Sequence, residues 1–367
     1  MKQNSYKFSS TLLFLLLISV SVVGQSFTKQ KTVERSFPMA DDTEIEISNK
    51  YGDITIENWE KDSVKVVIDY KVTSTKETKL NKTFDAINFD FKANEYYIVI
   101  ATEFDGSGSF WSDVSEIASN LFAAGNNTSI DYKVFAPTDK RINIKLKYGN
   151  VYMTNHTGSL KLSLSNGDFK AHNLSGKTEL DIVFGDASIN SLSNGEIKIS
   201  YGTLNLESAD KLSIIGQSTE FEIGTVDELL IDSKRDKFNI EEVNTLSGLA
   251  YFSRINIDKV IEHFELSTKY GSLKLKSIKA GVDEVKLTSV NTTVNIYLHK
   301  NSNYFISLTS DDKADVTYSA DIGDFSTEEL PGKEKIMKAE CVIGIKKIAI
   351  PIIIDIKAGF LSIKLGD

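Results

Sequence analysis

Apolar residues recur at every second position in short runs, and the runs themselves recur. Leu160, Leu162 and Leu164 alternate with Lys161 and Ser163, Phe169 and Ala171 flank Lys170, and Leu180 and Ile182 flank Asp181. A period of two sends one face of a strand inward and the other to water. Between runs stand Tyr148-Gly149-Asn150, Asn166-Gly167-Asp168, Phe184-Gly185-Asp186 and Tyr201-Gly202-Thr203. Gly, Asn and Asp tolerate left-handed backbone angles and so supply corners. Taking Val151 as the marker, the equivalents are Phe169, Ala187, Leu204, Phe221, Phe238, Ile255 and Leu273, at steps of 18, 18, 17, 17, 17, 17 and 18. A step this constant predicts stacked copies of one unit. The fold class expected is all-β: a β-solenoid or β-helix-like array of 17–18-residue rungs, each with two short strands and two corners. An up-and-down meander of hairpins is the alternative, since Asn166-Gly167 between alternating runs is also a hairpin signal. Leu162, Ile182, Leu204, Phe221, Phe238, Ile255 and Leu273 are expected to face one continuous core.

The pattern divides the chain into 1–24, 25–140, 141–300 and 301–367. Residues 1–24 read as a secretory signal peptide: Lys2 and Lys7 precede an apolar run from Leu12 to Val23, and Val22 and Gly24 satisfy the small-residue rule for a mature start at Gln25. No transmembrane segment is expected in the mature chain, because Lys346, Lys347, Pro351 and Asp355 interrupt the apolar run from Val342 to Ile356. That run reads as a buried strand pair. Residues 25–140 read as an irregular β region. Within it Lys50-Tyr51-Gly52-Asp53 repeats the corner signature, Thr75 to Ile87 has a weak helical pattern, and a turn at Ala93-Asn94-Glu95 joins two strands. Residues 301–367 close the array, with Ala358-Gly359-Phe360 as a last copy of the corner.

One inserted segment, 104–128, breaks the β pattern. After Gly106-Ser107-Gly108-Ser109 come Phe110 and Trp111, and then Val114, Ile117, Ala118, Leu121 and Phe122 at helical spacing. Asp113 and Glu116 form a capping-box pattern. A helix here covers an open sheet edge or, with Phe110, Trp111, Leu121 and Phe122 exposed, binds a partner.

Stacked rungs bring equivalent residues into columns. One column, Tyr148, Phe184, Tyr201, Phe252 and Tyr270, is a candidate aromatic strip: stacked rings reinforce a corner or, if exposed, bind sugar rings. A second, Asn150, Asp168, Asp186, Thr203, Glu220, Lys237, Arg254 and Ser272, brings carboxylates within ~5 Å of each other. These either share a Ca²⁺ or form turn hydrogen bonds followed by a Glu-Lys-Arg surface ladder.

Composition narrows the functions open to such an array. The formal charge is −9, which argues against nucleic acid and anionic membranes as partners. Cys341 is the single cysteine, so no internal disulfide forms, and it reads as a small buried apolar residue. His156, His172, His263 and His299 hold different positions in their rungs and suggest no metal site. No nucleophile-elbow, phosphate-loop or dinucleotide motif occurs, and no catalytic residue, metal or cofactor is expected.

The Lys-Tyr-Gly-Asp/Asn signature, with its alternating strands and the Val134-Phe135-Ala136-Pro137 lead-in, resembles the putative adhesin family of exported bacterial proteins, the group related to the auto-transporter adhesin head GIN domain. The resemblance is best over 130–275. It implies an exported all-β solenoid and brings no catalytic residues with it. This chain departs from the family pattern where Thr219, Asp236 and Ser253 replace the corner Gly, and at 104–128. The expected protein is an exported, non-enzymatic, adhesin-like binding protein of the periplasm or cell surface, with a protein or glycan partner. A periplasmic envelope-stress or signalling accessory is the alternative, followed by a polysaccharide-active β-helix enzyme.

Overall fold

The computed structural model describes residues 26–104, 126–332 and 335–366. Residues 1–24, expected to be a signal peptide, and most of the inserted segment, including Phe110, Trp111, Leu121 and Phe122, lie outside the described residues.

The chain runs through β1 (Phe27–Pro38), β2 (Glu44–Lys50), β3 (Ile54–Asn58) and β4 (Ser63–Ser74), helix α1 (Glu77–Asp85), then β5 (Ile87–Ala93), β6 (Tyr97–Phe104) and β7 (Asn126–Ala136). Four short strands follow: β8 (Arg141–Lys147), β9 (Val151–Met153), β10 (Asn155–His156) and β11 (Leu160–Ser165). Six long ones then carry nearly a whole repeat each: β12 (Phe169–Val183), β13 (Ala187–Ser200), β14 (Thr203–Gln217), β15 (Glu220–Lys234), β16 (Lys237–Tyr251) and β17 (Arg254–Lys269). The remainder comprises β18 (Ser272–Leu275), β19 (Glu284–Val290), β20 (Thr293–His299), β21 (Tyr304–Asp311), β22 (Asp315–Tyr318), β23 (Ser326–Leu330), β24 (Ile336–Ile343), β25 (Ile350–Lys357) and β26 (Phe360–Gly366). The protein is all-β, a 26-stranded sheet with one α-helix among the described residues.

Two compact units divide the described chain, the smaller built from 26–32, 69–88, 103–104 and 126–129. There, Leu80, Thr83 and Phe84 share one face of α1, with Leu80 and Thr83 buried. The Phe84 ring stacks on Tyr70 with centroids 4.7 Å apart, and Lys29 Nζ lies over the Phe84 ring, 5.5 Å from its centroid. This helix falls inside the Thr75–Ile87 pattern.

The larger unit is a parallel ladder. Val151, Phe169, Ala187, Leu204, Phe221, Phe238, Ile255 and Leu273 are successive register partners, and each is buried to within 1% of complete. The marker series is therefore the true register. Every pairing from β8 through β20 is parallel, which excludes the hairpin meander. The core is continuous: Leu162 and Ile182, from other columns, are buried together with the marker series, and the Phe221 and Phe238 rings stack inside it at 4.3 Å.

Both ends of the ladder depart from chain order. The segment formed by β2 and β3 lies between β8–β9 on one side and β6–β7 on the other. The C-terminal β25 and β26 lie between β19–β20 and β21–β22. The corner signatures at Tyr51 and Ala358 thus mark rungs, as expected, but neither rung is terminal. The apolar run 342–356 is only half buried. Ile350, Ile352, Ile354 and Ile356 of β25 face the core, whereas Val342, Ile345 and Ile348 are exposed. The expected buried strand pair fails here because β24 pairs antiparallel with β21 and β23, outside the parallel stack. Cys341 is buried as expected, and burial pushes its thiol pKa up.

Candidate functional site

One corner of the larger unit repeats an uncommon backbone conformation. Tyr51, Tyr148, Asn166, Phe184, Tyr201, Ser218, Arg235, Phe252, Tyr270, Asn291 and Ala358 all have φ between 47° and 66°. The left-handed region costs an L-residue roughly 1–2 kcal/mol, most for β-branched side chains, and no Val, Ile or Thr occupies this column. The residue that follows is Gly in many rungs because successive corners touch through backbone. A Cβ on Gly167 would stand 1.8 Å from the Gly149 carbonyl oxygen, and one on Gly185 1.8 Å from that of Gly167.

All five rings of the predicted aromatic strip sit in this column, 42–56% exposed. They are not continuous. Phe184 stacks on Tyr201 at 5.0 Å and Phe252 on Tyr270 at 5.1 Å, each pair within 14° of parallel. Tyr148 stacks instead on Tyr51 at 5.4 Å, a ring the strip reading missed. Its signal was present in the sequence, Lys50-Tyr51-Gly52, but far upstream of the main array. Asn166 separates the first pair from the second; Ser218 and Arg235 separate the second from the third.

The neighbouring polar column forms the expected ladder of hydrogen bonds at its first rungs. Asp53 Oδ1 accepts from Asn150 N at 2.8 Å, Asn150 Oδ1 from Asp168 N at 2.9 Å, Asp168 Oδ1 from Asp186 N at 3.1 Å, and Asp186 Oδ1 from Thr203 N at 2.7 Å. Each side-chain oxygen caps the N–H of the next rung. Among the described residues no cluster of His, Cys, Asp and Glu could hold a metal ion.

The pattern changes where the corner Gly is lost. Glu220, Lys237 and Arg254 donate their N–H groups to the backbone carbonyls of Gly202, Thr219 and Asp236 at 2.9–3.1 Å, so these N–H groups need no side-chain oxygen from the preceding rung. Glu220 then pairs with Lys237. Thr219, Asp236 and Ser253 turn inward and are buried. Asp236 accepts from Thr219 N at 2.8 Å, Ser233 Oγ at 2.8 Å and Lys234 N at 3.0 Å. Burial nonetheless raises its pKa above the ordinary carboxylate value. These bonds commit the carboxylate to the corner itself.

Over this altered corner lies a depression of about 780 Å³, lined by residues that include Ser218, Arg235, Lys237, Phe252, Arg254 and Tyr270. A second depression, of about 830 Å³, lies on another face of the ladder. Several of its polar groups are bonded to one another: Asn239 Nδ2 donates to Glu222 Oε1 at 2.5 Å, Asn256 Nδ2 to Asn239 Oδ1 at 2.9 Å, and Lys276 pairs with Asp258 at 2.6 Å. The corner, with its exposed rings and with Arg235 and Arg254 in no ion pair with any described residue, is the stronger candidate. Among the described residues no helix is long and apolar enough to cross a membrane.

No family model matches the chain, and no curated protein matches it. Among solved structures it is similar to a putative cell adhesion protein from Clostridium sporogenes (14% identity, 92% of this chain and 100% of that one, TM-score 0.21). It is also similar to putative adhesins from Parabacteroides merdae (16%, 75% and 93%, 0.35) and Parabacteroides distasonis (13%, 73% and 93%, 0.31). TM-scores this low carry no argument about fold or function.

Proposed function

We propose that the chain is an exported, non-enzymatic, adhesin-like binding protein, that its parallel ladder is a β-solenoid, and that the aromatic corner is the edge it presents to a glycan or protein partner. The observation that carries this reading is the exposure of the ring column. Packing alone does not require half of a Phe184 or Phe252 side chain to face water, and each ring is held at a backbone conformation that disfavours it. Exposed aromatic rings offer large rigid contact area at low entropic cost. Export is supported by the pattern of residues 1–24. The absence of enzymatic activity is supported by the polar column, whose Asp oxygens accept backbone N–H bonds instead of flanking a substrate.

The test is binding to glycan arrays and to cells, comparing wild type with the variant Phe184→Ser/Tyr201→Ser/Phe252→Ser/Tyr270→Ser. The rings are surface groups, so circular dichroism should show an intact fold while attachment is lost. Undiminished attachment by the folded variant overturns the assignment. Turnover of a polysaccharide, abolished by a single Asp→Asn change in the ladder, overturns the non-enzymatic reading.

A further inference from the structure

The two pairs Phe184–Tyr201 and Phe252–Tyr270 face each other across a break in the column. Tyr201, Ser218, Arg235 and Phe252 occupy four successive rungs, so three rung steps, about 14 Å, separate the inner ring faces. Keeping a contact distance of ~3.5 Å at each face leaves room for one sugar ring against Tyr201 and one against Phe252. Ring centroids within a pair are 5.0 and 5.1 Å apart, close to the rung repeat, so the rings stack along the ladder and their free faces look into the break.

The charge around this break runs against that of the chain. The protein carries a formal −9, yet Lys234, Arg235, Arg254 and Lys269 surround Phe252 and make no ion pair with any described residue. Lys234 and Lys269 flank the ring column on one side, in register through Tyr251. Arg235 lies in the column itself, and Arg254 stands on the other side, in register with Lys237. Lys237 is taken by Glu220. Asp236 lies buried beneath with its oxygens bonded, and Asp232 is exposed on the same strand as Lys234. Unpaired cations gathered at exposed rings on an acidic protein match a ligand that has both apolar ring faces and negative charge. The guanidinium fork suits carboxylate and sulfate.

We propose that the break between Tyr201 and Phe252 is a subsite for an acidic polysaccharide. Arg235 and Arg254 take its carboxylate or sulfate groups, while Tyr201 and the Phe252–Tyr270 pair pack against its sugar rings. This rests on the corner being the binding edge. Nucleic acid also combines stacking with charge; the acidic field of the whole chain opposes either polyanion, so the local cations must hold the ligand, and poly(dT) enters the test as the competing occupant.

The experiment is titration calorimetry of the exported form of the full chain at low and moderate NaCl. The ligands are polygalacturonate (carboxylate), chondroitin sulfate (sulfate and carboxylate), dextran (neutral) and poly(dT). The proposal expects binding to at least one acidic polysaccharide but not to dextran, weakening with salt, and falling about tenfold or more in Arg235→Ala/Arg254→Ala at unchanged thermal midpoint. Dextran binding equal to that of the acidic polymers, with no effect of the arginine changes, overturns the anionic inference and leaves the binding edge standing. Poly(dT) binding tighter than either polysaccharide overturns the polysaccharide assignment and leaves an anion-binding edge standing. If no polymer binds and the ring-substituted variant attaches to cells as wild type does, both readings fall.

Discussion

The corner stack makes Gly167→Ala informative. Gly167 has no left-handed φ, so the substitution tests space alone. An added Cβ would lie 1.8 Å from the Gly149 carbonyl oxygen and 2.7 Å from its carbonyl carbon. These are backbone atoms of the preceding rung, and no rotamer change relieves the clash. Overpacking a site costs about 1–3 kcal/mol, occasionally more, and a rigid backbone neighbour puts this case at the upper end. Stiffening the unfolded chain returns only about 0.4–1 kcal/mol. The net expectation is a loss of about 2 kcal/mol, read as a lower urea midpoint at unchanged m-value by far-ultraviolet circular dichroism. Gly281→Ala is the control: a Cβ there meets nothing within 4 Å, and the cost comes only from φ of +98°. A Gly167→Ala variant within 0.5 kcal/mol of wild type would refute backbone contact between successive corners, taking ~0.5 kcal/mol as the ordinary scatter of surface substitutions.

Three further outcomes follow from the same geometry. Leu204→Ala, at a fully buried marker position, should cost about 2–5 kcal/mol in the same urea assay; a loss below ~1 kcal/mol contradicts the core assignment. His156 is 1% exposed and burial lowers its pKa from 6.5; the unfolded chain therefore takes up the proton first, and stability present above pH 6.5 is lost as pH falls through that value. His156→Leu should flatten the change in urea midpoint between neutral and mildly acidic pH, and an unchanged slope would exclude this group as the cause. Chelator should leave the thermal midpoint unmoved, because Asp168 and Asp186 each direct one carboxylate oxygen to the N–H of the following rung and, among the described residues, no acidic cluster stands ready for a metal; a fall in midpoint restored by Ca²⁺ would contradict that.

The rungs were legible because a buried strand face must alternate and a stack must repeat: Val151 to Leu273 keep the step that the register pairs later display. The aromatic column was legible for the same reason, since equal spacing implies vertical alignment. Its segmentation was less so. Asn166, Ser218 and Arg235 share the ring positions, but only the left-handed φ common to all of them marks the column as one. The inward turn of Thr219, Asp236 and Ser253 was visible as lost glycines, but not as a buried hydrogen-bonded cluster, which depends on Ser233 from the preceding strand. The order of the end rungs was illegible. Alternation in β2–β3 or β25–β26 states that each is a rung, while its neighbours are chosen by shape across long sequence separations. The exposed stretch 342–348 shows the same limit: Val342 and Ile345 read as core until the antiparallel partner of β24 is known.

The central structural claim, a stack of parallel rungs with the C-terminal rung slotted inside it, is tested most directly by pulsed electron–electron distance measurement. In one outward column, Lys161 is followed by Glu179, Glu196, Ser213, Leu230, Ser247, Glu265, Lys286, Ile353 and then Ser307. With Cys341 replaced by Ser, spin labels at Lys161→Cys and at Leu230→Cys, Ile353→Cys or Ser307→Cys should be separated by about 19, 38 and 43 Å, at ~4.8 Å per rung. Position 353 should thus lie nearer to 161 than position 307 does, although it comes later in the chain. The reverse order, or a 161–230 distance that does not fit four rung steps, would contradict the stack.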